Sequence, residues 1–291
     1  MSLLGKLQLS KAWSFYLCFL GFLGFLWFGF LLWDVILCPP PERFARSIQE
    51  GGHHFQNFFF FIWFREGGPV ENLQWFFLGL SAVLYGYLAG IFRDERGKHL
   101  FFLLLALAFV FLLIEDAGNP RHRIKHQLRV WLDTGGQNTP LITLFKFGYF
   151  AALAALPTWV LVFYRREIQK FPWATFFFFA GYGFYGLAGF LSFIGNAFSS
   201  HLDPVIYERM GLFIWDLLAP LGNENHQTVM EGFLQHDRFG TRITLDLMDT
   251  LFEESIEALG AAAFLACGIA CLESLRRQQR GGTKRTTDST V

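Results

Sequence analysis

Asp246, Asp249, Glu253 and Glu257 are spaced three, four and four residues apart, with Glu254 beside them. On a helix beginning near residue 241 the four share one face, and like charges at that spacing repel. Such a stripe needs water, basic partners or a cation. Glu115-Asp116 closes another apolar run, and Asp34 lies near the end of the first. Ionisable side chains at membrane depth usually face a cavity or a bundle interior, and Glu257 lies deepest in the apolar sequence. Three chemistries compete for these groups. One is a solvated helix face salt-bridged to a basic helix. The second is a hard-cation or proton site built on Glu115, Asp116, Glu253 and Glu257, with Asp34 joining it. The third is a contact surface for another membrane subunit.

A basic element stands close to the acidic ones. Asn119-Pro120 is a helix start, with a capping Asn and Pro at the first helical position, and Gly135-Gly136 is a stop. Between them Ile124, Leu128, Trp131 and Leu132 form an apolar stripe, while Arg121, Lys125 and Arg129, with Arg123 nearby, form a basic patch. The pattern predicts an amphipathic helix lying flat at the interface, suited to anionic headgroups or an acidic partner surface. His122 and His126 are four apart, so both rings could meet one metal, although no Glu completes a His-Glu-x-x-His motif. A mixed set of His201, Asp203, Glu115, His122 and Glu253 has suitable donor atoms, but no spacing ties it together.

The elements that must position these groups are transmembrane helices. Segments 12–33, 73–92 and 171–200 contain no Asp, Glu, Lys, Arg or His. A spanning helix needs about 20 such residues. Charged residues make up 16 % of the chain and Phe contributes 38 of 291 residues, far from the composition of a soluble domain. The fold class is all-α, a polytopic helical membrane protein. Six spans are expected near 13–37, 72–92, 99–117, 141–164, 173–195 and 255–275, forming one domain over 1–275 and leaving a polar tail at 276–291. The apolar runs 55–64 and 205–221 are too short or too interrupted to span, and suit interfacial or packed helices. Pro157 predicts a kink in the fourth span. Gly86-x-x-x-Gly90, Gly181 to Gly189 and the Gly/Ala-rich 260–270 read as close-packing faces.

The short links 93–98 and 165–170 are basic, as are both termini, so the positive-inside rule places the termini in the cytoplasm of a bacterial inner membrane. The long connections 38–71, 118–140 and 196–254 then face outward with every histidine except His99. The basic segment 121–129 is the one feature that opposes this orientation.

These features bound the function. Zero net charge argues against nucleic acid as a partner. No span carries a mid-membrane histidine for haem. Polar groups are sparse in the inner halves of the spans, and no hydrolase or nucleotide motif is present. The leading expectation is a non-catalytic membrane subunit or assembly protein, an accessory part of a protein complex, recognising a partner or anionic lipid through its outer face. The alternatives are a cation- or proton-coupled transporter or channel using the interface carboxylates, and a metal-assisted membrane hydrolase. No cofactor is expected beyond bound lipid, with metal, quinone or pigment left open. A membrane-protein partner or a homo-oligomer fits the packing faces.

Overall fold

The computed structural model describes residues 10–44, 58–118, 120–131, 140–197, 203–234 and 240–287, and among these every regular element is helical. The spanning helices begin where the sequence supplies a start. Helix α1 (Lys11–Phe30) is capped by the Ser10 hydroxyl, which accepts from Trp13 N at 3.3 Å, and it runs on into a π-helical turn, Leu31–Ile36. A short helix α2 (Phe59–Phe64) precedes α3 (Pro69–Ile91). Then follow α4 (Arg96–Gly118), the amphipathic α5 (Pro120–Trp131), α6 (Pro140–Ile168) and α7 (Pro172–Ala197). Proline opens α3, α5, α6 and α7, where its missing N–H costs no hydrogen bond. Helices α8 (Asp203–Leu218) and α9 (Glu224–Leu234) lead to α10 (Gly240–Asp246), which continues through a second π-helical turn, Leu247–Glu253, into α11 (Glu254–Thr287).

Among the described residues six helical stretches are long and apolar enough to cross a membrane. The 23 residues of α3 rise about 35 Å at 1.5 Å per residue, enough for a hydrocarbon core of about 30 Å. The protein is an all-α polytopic membrane protein. The run expected to form a polar tail is helical as far as Thr287, because α11 passes residue 275 without a break.

Helix α11 is the most buried of the six and packs against α7, α3 and α1. Its small residues permit this. A Cβ at Gly260 would lie 2.5 Å from Tyr185, and one at Gly268 would lie 2.6 Å from Leu84. On α7, a Cβ at Gly181 would lie 2.7 Å from Phe264. Close backbone approach of this kind is what holds helices together where lipid offers no hydrophobic drive. Polar bonds add to it: Tyr85 donates to the Phe264 carbonyl at 3.0 Å, Trp27 Nε1 to Ser255 Oγ at 3.0 Å, and Tyr182 to the Pro157 carbonyl at 3.0 Å.

One small-residue face makes no close approach within the chain. A Cβ at Gly86 or Gly90 would meet nothing within 4 Å. The buried face of α3 is carried instead by Gln74, Leu78, Ser81, Tyr85 and Leu88, so the Gly-x-x-x-Gly spacing looks away from the bundle. The phenylalanines divide by position. Phe177 and Phe178 are fully buried, whereas Phe25, Phe28, Phe163 and Phe176 are exposed on the outer surface of the helices.

Candidate functional site

The turn between α2 and α3 delivers two carboxylates. Gly67 has φ 74°, a left-handed conformation that favours glycine, and its N–H donates to the Glu71 carboxylate. Glu66 precedes this turn and Glu71 follows it in the first turn of α3. Gln74, one turn further on and fully buried, donates through a single amide nitrogen to two carboxylates: Asp116 Oδ2 at 2.9 Å and Glu257 Oε2 at 2.8 Å. Gln74 therefore ties the end of α4 to the start of α11. Tyr149 on α6 donates to Glu115.

The carboxylates named here open onto one cavity of about 820 Å³. Glu66 and Glu71 line it from the α2–α3 side, and Glu115 and Asp116 from α4. Asp249, Glu253, Glu254 and Glu257 come from the π turn and α11. Among the described residues no lysine, arginine or histidine lines it. Glu66, Glu115, Asp249, Glu253 and Glu257 each make a further contact with a neighbouring group. In the cavity wall the buried Glu254 Oε2 has no hydrogen-bond partner, and the buried Tyr185 hydroxyl lies beside the Gln74 amide. Leu112, Ala154, Pro157, Leu161 and Phe264 complete the wall.

The acidic stripe is continuous helix from Gly240 onward, but not regular α-helix. The π-helical turn adds a residue to the period. As a result Asp249, Glu253, Glu254 and Glu257 reach the cavity while Asp246 does not.

Asp34 is placed elsewhere. It is buried, and its Oδ1 and Oδ2 accept the backbone N–H groups of Phe59 (2.7 Å) and Phe60 (2.9 Å), so it caps α2 across the chain. Beside it, the His226 ring nitrogen Nδ1 bonds the Asp34 carbonyl at 3.0 Å, and Asn223 and Asn225 both donate to the Cys38 carbonyl at 3.2 Å. Burial lowers the His226 pKa from its ordinary value, with the Asp34 carbonyl opposing that shift in part. Burial, and then the charge of Asp34, push the Cys38 thiol up to about 11.

Of the basic patch, Arg123 is exposed on α5. The side chains of Arg121, Lys125 and Arg129 lie outside the described residues, as do those of His122 and Asp203 and the whole of His201. His126 is exposed. Among the described residues no three His, Cys, Asp or Glu side chains are placed to hold a metal ion together.

No protein-family model, curated protein or solved structure matches the chain.

Sequence reasoning missed Glu66, Glu71 and Gln74. A signal existed: Glu71, Gln74, Ser81 and Tyr85 fall on one face of α3, so polar groups mark the side of that span that faces the bundle.

Proposed function

We propose that this is a cation-binding membrane protein of the transporter class, with the carboxylate cavity as the site of a bound cation or coupling proton. One observation carries this reading. Carboxylates from segments far apart in sequence line a single cavity, Glu71 and Glu253 buried, Asp116, Glu254 and Glu257 half-buried, and Glu66 and Asp249 exposed at its edge. At 4 Å two like charges repel by about 4 kcal/mol at an effective dielectric constant of about 20, so the arrangement favours positive charge inside it. The unpartnered Glu254 oxygen gives such a charge a ligand. An accessory subunit would need none of this, and the cavity therefore moves the cation reading ahead of it. In the proposed orientation both termini are cytoplasmic and the carboxylate end faces outward, following the basic links at 93–98 and 165–170.

The test is thermal unfolding of the purified protein in a nonionic detergent, titrated at constant ionic strength with sodium, magnesium, calcium and spermidine. At least one cation is expected to raise the melting temperature in a saturable way, and Glu254→Gln is expected to remove that response. A native protein that responds to every cation as the variant does overturns the proposal.

A further inference from the structure

The cavity is polar at one end only. Its carboxylates gather where α4 ends and α11 begins, and its other end is walled by Leu112, Pro157, Leu161 and Phe264. Along α6 the lining extends from Phe147 to Leu161, about 20 Å at 1.5 Å per residue. That exceeds the half-thickness of a hydrocarbon core, about 15 Å. Ala151 and Ala154 on α6, and Gly186 and Gly189 on α7, line the cavity and are exposed. Both helices are long and apolar enough to span, so an opening between them would face lipid, and small residues border it. A Cβ at Gly186 or Gly189 would meet nothing within 4 Å. At the other end Glu66 and Asp249 are exposed.

The chemistry of the unpartnered atoms narrows the occupant. Glu254 Oε2 is an acceptor in the cavity wall, and the Tyr185 hydroxyl there can both accept and donate. An ammonium group supplies three donors and a positive charge. A phosphate supplies acceptors and negative charge, which an unpartnered carboxylate oxygen such as Glu254 Oε2 disfavours. A small inorganic cation would leave the apolar half of the cavity without a role.

We propose that the site takes an amphiphilic ammonium compound, a protonated amine on a hydrocarbon tail without phosphate, which enters from the bilayer between α6 and α7. Its ammonium group lies among Asp116, Glu254 and Glu257, and its tail runs along α6 toward Leu161 and Phe264. This inference rests on the cation-binding reading and names the cation.

The experiment reconstitutes the protein in phosphatidylcholine nanodiscs doped in turn with dodecylamine, dodecanol or phosphatidylethanolamine. Native mass spectrometry then reads the molecules retained. Dodecylamine is expected to be retained about tenfold better than dodecanol, since hydrogen bonds to ionised groups exceed the free energy of a tenfold preference. Glu254→Gln lowers that retention. So does Ala154→Trp, which fills the lipid-facing mouth from an exposed position and leaves every carboxylate in place. Equal retention of amine and alcohol overturns the inference, as does an Ala154→Trp variant that retains amine like the native protein. Preferential retention of phosphatidylethanolamine overturns the phosphate-free assignment. Stabilisation by a soluble cation, lost in Glu254→Gln, without amine retention would leave the cation-binding reading standing and remove this one. A native protein indistinguishable from Glu254→Gln toward every cation, soluble or amphiphilic, removes both.

Discussion

Replacing Gln74 by Leu separates electrostatic tethering from packing at the cavity floor. The Gln74 amide nitrogen bonds Asp116 Oδ2 at 2.9 Å and Glu257 Oε2 at 2.8 Å. The amide has only one workable orientation, because its oxygen would be repelled by both carboxylates. Each hydrogen bond to an ionised partner contributes about 1.5–3 kcal/mol. Leucine forfeits both bonds, but it also removes the unpartnered Gln74 Oε1, which returns about 1–3 kcal/mol of desolvation penalty. The bonds win, and the net loss is about 2–3 kcal/mol. For a chain of this size that corresponds to a melting temperature lower by about 5–10 °C, read from tryptophan fluorescence of the detergent-solubilised protein. Gln74→Glu loses the same bonds and adds a carboxylate, so it should be less stable still, yet recover more than Gln74→Leu on addition of a cation that binds the cavity. A Gln74→Leu protein that melts with the native one would refute the tether, and equal cation responses in the two variants would refute its electrostatic basis.

Other outcomes follow from the same geometry. Asp34→Asn offers one acceptor to two backbone donors and strands a buried N–H, so stability should fall by about 3–5 kcal/mol; unchanged melting would show that α2 needs no cap. His226 has its pKa lowered by burial, so the folded state resists its protonation. The neutral ring's contribution is present above the unfolded value of about 6.5 and is lost as pH falls through the lower folded value. Melting temperatures between pH 8 and pH 5 should therefore drop more steeply for the native protein than for His226→Gln, and parallel curves would contradict the assignment. Gly211→Ala places a Cβ 2.4 Å from the Thr244 carbonyl oxygen and should cost about 1–3 kcal/mol. Gly86→Ala meets open space and should gain about 0.5–1 kcal/mol from reduced backbone freedom. The reverse order would overturn the packing faces described for the bundle.

The spans are legible in the sequence because composition alone excludes other states: charge-free runs of this length have no place in a soluble core. Much of the cavity is legible too. Glu115, Asp116, Glu253 and Glu257 stand out as carboxylates at span ends, and membrane depth explains why they turn inward. What sequence could not supply is convergence. Glu71 and Gln74 look like ordinary first-turn helix residues, and only the docking of α3 against α4 and α11 makes one amide bridge two carboxylates. Asp34 shows the opposite case. Its depth resembles that of Glu257, but the chain returns through Phe59 and Phe60, whose N–H groups claim both its oxygens. Asp246 was grouped with the stripe by assuming a regular period, which the π-helical turn breaks. Gly86 and Gly90 matched a packing pattern whose spacing carries no information about which side of the helix is inward.

The π-helical turn at Leu247–Glu253 has a mechanical consequence. It is an α-helix holding one surplus residue, and a surplus residue can be handed along the chain. Moving it by one position turns the residue it passes by about 100°, remaking one backbone bond while the rest of the ladder stays intact. Because Glu253 and Glu254 sit at its end, a single such step re-indexes which carboxylate the cavity sees. The charge of the chamber could then change by rotation within one helix, with no tilting of the surrounding spans.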